Sequence, residues 1–225
     1  MSENILVVYN SLPFILQGVA ITLGLVFQAL FLGLLIGLVL ALGQVYGNKI
    51  LFRLIGVYIW FFRGMPTLVL LFLFYFGLFP LVGLDISAFA IAVIALGMRS
   101  SAYQSQILRG AIQSLGAGQM LAARSLGMNK PTAIINIVLP QAVRIALPGW
   151  SNEYPVLLTD SAAAYAIGVM EILTRGSLLV SSTYKPMPLY LTCAVIFIVL
   201  NYVGMRSLHM IERCISIPGF GSEEK

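Results

Sequence analysis

The sequence predicts an all-α membrane protein, with five transmembrane helices and a cytoplasmic helix-turn-helix loop. Three observations carry that expectation. Apolar residues make up 60% of the chain and charged residues 9%, with a mean hydropathy of +0.97. A water-soluble domain of 225 residues has no interior large enough to hide so much apolar surface. The charges are also segregated between long charge-free runs, and the Lys and Arg residues behind the net charge of +5 fall in clusters.

Each span follows from the rule that about 20 apolar residues cross the hydrocarbon core. No charge occurs between Glu3 and Lys49, so the first span fits within residues 13–43. The second runs from Ile55 to Phe79 with Arg63 in its first third, and Pro80 to Asp85 reads as a short turn. The third, Ile86 to Ile107, is interrupted by Arg99. A polar loop fills residues 108–139, bounded by Arg109 and the Leu139-Pro140 step. The fourth span begins near Pro140 and carries Pro148, Glu153 and Asp160, and the fifth is the charge-free run from Pro186 to Met205. Asp160 to Lys185 is too polar for a span and too apolar for a loop, which suggests a helix lying against the bundle near its outer face. Residues 1–225 form one transmembrane domain with its core at 13–213, without internal repeats or a separate soluble domain.

Orientation follows from the basic residues. Lys49 and Arg53, then Arg109, Arg124, Lys130 and Arg144, then Arg206, Arg213 and Lys225 form three clusters. Five spans put all three on one side, the cytoplasm by the positive-inside rule. Glu3, Asp85, Glu171, Arg175 and Lys185 fall opposite, nearly balanced. The N-terminus is expected outside and the C-terminus inside. The basic excess thus reads as membrane orientation rather than nucleic-acid binding. Met1 to Asn4 lacks the basic region of a cleavable signal peptide.

Several chemistries lack their residues. No Gly-Lys-Ser/Thr phosphate loop occurs, so the chain is not expected to hydrolyse ATP. Cys193 and Cys214 have neither disulfide nor metal spacing, and the lone His209 sits beside C-terminal charges as a solvated flank. No catalytic residue, metal site or cofactor is expected on the chain.

Two features point to function. The stretch from Gly118 to Pro140 is a polar, helix-forming island in which Gly127 can end one helix and Pro131 can start the next. Small Ala122 and Ala123 allow close approach of another surface, and Met120, Leu121 and Met128, flanked by Gln119, suggest an interface. The bland alternative is a surface hairpin that touches nothing. The second feature is a pair of charges at matched depth. Arg99 lies ten residues before Arg109 and Glu153 nine after Arg144, each about 14–15 Å from the basic flank. Such charges need a partner or water. Either Arg99 and Glu153 lock two helices together, or they receive the carboxylate and ammonium of a zwitterion. Asn152, Asp160, Ser161 and Tyr103 are further candidate polar contacts, and Pro148 can free carbonyls in the fourth helix. Ser100 and Ser101 suit tight helix packing, and Arg63, in an Arg-Gly-Met-Pro break, suits pairing with local carbonyls.

Motifs along most of the chain resemble a known family. They are Phe62-Arg-Gly-Met-Pro66, Ala102-Tyr103, Ile107-Leu-Arg-Gly-Ala111, Leu139-Pro-Gln-Ala-Val-Arg144, Asn152-Glu-Tyr154 and Ile167-Gly-Val-Met-Glu-Ile172. With the Ala-Ala, Gly and Ile-x-Leu-Pro spacing of the loop, they resemble permease subunits of polar amino-acid ABC importers, of the histidine, glutamine and arginine type. The resemblance implies a prokaryotic inner-membrane subunit paired with a second permease, identical or homologous. It also implies two ATP-binding subunits that hold ATP and Mg, an extracytoplasmic amino-acid-binding protein, and alternating access driven through the loop. Three positions depart from the family pattern: Leu121 replaces the loop glutamate, Thr159 a lysine, and Gln106 a glutamate. The rival classes are an ion-coupled secondary transporter, which calls for inverted repeats, and a channel or scaffold subunit, which gives the loop no purpose.

Overall fold

The computed structural model describes residues 2–215, and these are helical apart from short connections. Lys225 of the third basic cluster lies outside the described residues, as does the Glu3 side chain. Helix α1, Ser2–Tyr46, runs 45 residues, about 67 Å at 1.5 Å per residue and far longer than the bilayer core. Asn48 caps α2, Lys49–Gly64, by accepting the Leu51 N–H at 2.8 Å.

The second span is not straight as expected. Met65 precedes a proline, which excludes it from helical geometry, and both Met65 and Pro66 are extended. The axis turns by 109° into α3, Thr67–Leu81. An apolar cavity of about 640 Å³ lies in the crook, lined by Phe62, Phe74, Phe76 and Met98 among others. Pro80 sits inside the last turn of α3 rather than opening the connection. Helix α4, Ala88–Ser114, starts on a Ser87 cap and passes its expected end at Ile107 by about two turns.

The loop is correspondingly shorter than residues 108–139. It holds α5, Gly118–Ser125, closed by Gly127 at φ +81°. Met128 N–H donates to Ala123 O and Gly127 N–H to Arg124 O, the paired bonds of a Schellman cap. Asn129 then caps α6, Lys130–Ser151, by accepting the Thr132 N–H at 2.9 Å. The helix that carries the fourth span therefore begins at Lys130, about ten residues ahead of Pro140. A π-helical stretch, Ile134–Val138, just before Leu139-Pro140 lets the helix carry a proline that lacks an N–H. After a one-residue break at Asn152, α7 runs Glu153–Ser161 and tightens to a 3₁₀ turn over Ala162–Ile167. Gly168 closes it, the axis bends by 48°, and α8, Ile172–Thr183, starts on a cap from Glu171. Helix α9, Pro186–Ile215, is the last described element.

Among the described residues three helices are long and apolar enough to cross a membrane: Asn4–Tyr46, Lys130–Ser151 and Pro186–Cys214. Two bent pairs, α2 with α3 and Glu153–Ile167 with α8, bring the count to as many as five if each pair is one span. Helix α4, which carries the expected third span, falls outside this count because it is polar from Arg99 onward; its 27 residues reach about 40 Å, enough to cross, and its neighbours bury the polar half. The ambiguous segment after Asp160 ends in α8, which bends by 48° from α7 and lies against α1 at Gly18.

Packing centres on α1 and α4, which run parallel. Ala29, Gly33, Gly37 and Ala41 recur every four residues on α1 and form a small-residue seam. A Cβ at Gly33 would stand 2.6 Å from Gln104 Nε2, and one at Gly37 would stand 3.1 Å from Ser101 O. Helix α9 also runs parallel to α1: Leu189 and Cys193 pack with Ile15, and farther along Gly204 lies against the Tyr154 ring. Arg109 stands over Phe52 and Lys130 over Tyr46, which gathers basic residues of α2, α4 and α6 at one end of the bundle. At the other end Gly18 receives the start of α8, where an added Cβ would meet Ile172 N at 2.7 Å and Glu171 C at 2.9 Å. Backbone cannot give way like a side chain. Gly18→Val is therefore expected to destabilise the protein by about 1–3 kcal/mol or more. Its unfolding temperature in detergent should fall, and an unchanged value would mean that α8 does not depend on this contact.

Candidate functional site

The charged residues of the bundle meet where four helices converge. Arg99 of α4 makes an ion pair with Asp160 of α7 through Nη1 and Oδ2. Thr67, at the start of α3, donates to the other oxygen, Asp160 Oδ1, at 3.1 Å. The pair is mostly enclosed, with side-chain exposures of 15% and 20%. Arg99 Nε is buried without a partner among the described residues. One turn along α4, the Tyr103 ring lies 5.3 Å from the Arg99 guanidinium and 4.8 Å from that of Arg63. The bend at Met65-Pro66 makes this possible, because it turns Thr67 back toward Asp160 while leaving Arg63 at the end of α2.

Glu153 belongs to an adjoining network. Ser100 Oγ donates to Glu153 Oε2 at 2.9 Å, and Gln104 Nε2 donates to Ser100 Oγ at 2.9 Å and to Leu30 O at 3.2 Å. Trp150 Nε1 donates to Gln104 Oε1 at 2.7 Å. Glu153 is 7% exposed, and Ser100 and Gln104 are fully enclosed. The expected Arg99–Glu153 pair is therefore corrected: Arg99 pairs with Asp160. Adjacent helical residues point about 100° apart, so Arg99 and Ser100 address different neighbours. The break at Asn152 sets Glu153 against Ser100, and α7 crosses over Arg99 two turns later. The two networks adjoin, since Ser100 follows Arg99 on α4 and Glu153 lies two turns before Asp160 on α7.

The other candidates divide. Tyr103 is central to the cluster. Asn152 is exposed and its Nδ2 returns to Pro148 O at 3.3 Å, while Ser161 is buried with its Oγ donating to Leu158 O at 2.7 Å. Neither joins the cluster. Ser101 packs on the seam and shares a 2.7 Å bond with Tyr58 OH. Arg63, expected on local carbonyls, stands over Tyr103 instead. Thr67, Gln104 and Trp150 were not anticipated, and their uncharged side chains carry no sequence signal.

In the loop, Leu121 and Leu126 are 70% and 81% exposed, and Gln119, Ala122, Gly127 and Pro140 are also exposed. Met120 instead packs against the core cluster of Leu108, Ile112 and Val138, Ala123 is buried, and Met128 is half-buried. Only part of the expected knob is therefore presented outward. Gln141 ties the elements together by donating to Gln119 Oε1 at 3.4 Å.

Residues 30–217 match the family of the binding-protein-dependent transport system inner membrane component. The chain belongs to this permease family. It is 37% identical over 212 residues to the probable amino-acid permease protein YxeN of Bacillus subtilis, covering 93% of this chain and 94% of that one. It is 35% identical over 198 residues to the arginine ABC transporter permease protein ArtQ of Haemophilus influenzae, covering 84% and 89%. Among solved structures, an amino acid ABC transporter with histidines superposes with a TM-score of 0.82 at 35% identity, covering 93% and 97%. The MetNI methionine ABC transporter, at 21% identity and a TM-score of 0.78, shares the fold over 92% of this chain and 98% of that one.

The ion pair makes a specific demand of this permease. Asp160→Asn leaves a mostly buried guanidinium without its anion and is expected to cost about 3–5 kcal/mol. Replacing both partners, Arg99→Met with Asp160→Leu, should recover much of that loss, whereas Arg99→Met with Glu153→Gln should not. A double-mutant cycle on thermal stability in detergent reads the difference. Stronger coupling of Arg99 to Glu153 than to Asp160 would contradict the geometry.

Proposed function

We propose that this permease subunit imports polar amino acids, basic ones among them, by alternating access. The observation that carries this reading is a compensated charge cluster inside the bundle of a chain that resembles amino-acid permeases over nearly its whole length. A zwitterion has two opposite charges to desolvate, and a site with both signs at one depth replaces water for each. ATP and Mg belong to two partner ATPase subunits, and this chain does no covalent chemistry. A second permease, identical or homologous, completes the pathway, and an extracytoplasmic binding protein delivers the solute. The subunit sits in a prokaryotic inner membrane with its N-terminus outside and its C-terminus in the cytoplasm. The gathering of basic residues at one end of the bundle supports that orientation.

Coupling runs through the loop from Gly118 to Pro140. Its exposed Leu121 and Leu126 offer an apolar contact in place of a glutamate, seated in a cleft of the ATPase. The complex in proteoliposomes, with the binding protein and ATP inside, should accumulate a subset of the twenty amino acids when each is offered in turn. Uptake of none, with ATP hydrolysis intact, would remove the importer reading. Gly127 sits at φ +81°, so Gly127→Val strains the backbone by about 1–2 kcal/mol or more. Substrate-stimulated hydrolysis should drop roughly tenfold while insertion is retained. Unchanged stimulation would show that the loop is not the coupling element.

Orientation has its own test. With Cys193 and Cys214 replaced, Leu84→Cys should react with an impermeant maleimide in intact cells, and Leu126→Cys only after permeabilisation. The reverse pattern would invert the topology.

A further inference from the structure

We infer that Arg63, not Arg99, is the anchor for the α-carboxylate of the transported amino acid, with the Tyr103 ring as its platform. The inference rests on the importer reading and names a residue within that site.

Depth comes first. Phe52 lies beneath Arg109 at the basic end of the bundle. Arg63 is eleven residues farther along α2 and Arg99 ten residues back along α4, so both stand about 15–17 Å from that end. In a core about 30 Å thick this is the midplane. A guanidinium at that depth needs a partner or a water-filled path.

Arg63 has neither acid nor carbonyl within hydrogen-bond distance among the described residues. Its one polar or aromatic partner among the described residues is the Tyr103 ring at 4.8 Å. Both nearby carboxylates are engaged, Asp160 by Arg99 and Thr67, and Glu153 by Ser100. Arg63 is exposed, whereas Arg99 is committed to Asp160 and its Nε is enclosed. With Nη1 held by Asp160 and Nε enclosed, Arg99 has no free edge for a two-point bond to a carboxylate. Arg63 breaks no ion pair to make one.

The chemistry of the side chain agrees. Stacking on an aromatic ring uses the face of a guanidinium and leaves its edge, with paired N–H groups, free for a two-point bond to a carboxylate. The charge balance agrees as well. Once Arg99 and Asp160 cancel, the cluster retains one cation at its open edge, Arg63, and one anion on its enclosed side, Glu153. That polarity matches a zwitterion with its carboxylate toward Arg63 and its ammonium toward Glu153.

The test uses the purified complex of permease and ATPase subunits without the binding protein, so that recognition by the latter does not enter. The probe is the radiolabelled amino acid selected by the transport screen above, set against its α-carboxamide. The wild-type complex should bind the carboxamide roughly ten- to a hundredfold more weakly, the range for a lost charge-assisted contact. Arg63→Gln should weaken binding of the acid by the same factor, leave the carboxamide nearly unchanged, and so abolish the discrimination. Arg63→Lys should recover part of it. Full discrimination in Arg63→Gln overturns the inference, as does failure of the wild-type complex to bind the acid. Loss of the assembled complex in both variants also overturns it, since Arg63 would then be an architectural tie or a contact to the second permease. A wild-type complex that hydrolyses ATP but moves no amino acid fails the importer reading, a different result from any of these.

Discussion

The close approach of α1 to α4 is the constraint on which the rest of the molecule depends. Arg99, Ser100, Ser101, Gln104 and Ser105 form a polar strip halfway along α4, at a depth where unsatisfied donors and acceptors are costly. The seam of Ala29, Gly33, Gly37 and Ala41 lets the backbones approach until Gln104 reaches Leu30 O across the interface. The serines close their own bonds within the helix or to Tyr58 and Glu153. With α4 sheathed in this way, the bilayer meets α1, α6 and α9, whose apolar surfaces suit it. This is why α4, the most central helix, is the one that composition does not recognise as a span.

The irregular backbone serves the same site. A helix break at membrane depth is tolerated where the freed groups are buried or line a cavity. The break at Met65-Pro66 divides α2 from α3 so that Arg63 and Thr67 approach the cluster from two directions. The break at Asn152 divides α6 from α7 so that Glu153 and Asp160 fall on different partners. Each break thus brings two polar groups to the cluster from different directions.

Much of this was legible in the sequence, and the limits have physical causes. Membrane class, the basic end, the Gly127 turn and Arg99 as a charge at depth all follow from composition and spacing, because each is local. Which acid meets Arg99 is not local. It depends on the rotation of α7 after the Asn152 break, and nothing in the residue types encodes that angle. Pro140 misled as a helix start because a π-helical stretch before it absorbs the missing donor. Met120 and Ala123 misled as exposed knob residues because α5 lies back on α4 and α6 instead of standing free. Thr67, Gln104 and Trp150 were silent, since an uncharged polar residue in an apolar run signals nothing until its partner is known.

The helices that leave the loop also bear on how a signal crosses the molecule. Helix α4 is unbroken from Arg99 to Ser114, and α6 is unbroken from Lys130 to Trp150 and Ser151. The two are joined near the cluster by the Trp150–Gln104 bond and near the loop by the packing of Leu108, Ile112, Val138 and Ala142. Close-packed helices shift as units rather than deform smoothly. Under the importer reading, a displacement applied at Leu121 and Leu126 therefore reaches Glu153 and Arg99 through two bodies that move together. The one-residue break at Asn152 is where that movement can become a change of angle. Beyond it lie Glu153 and Asp160, so the break stands between the helices that leave the loop and both carboxylates of the cluster.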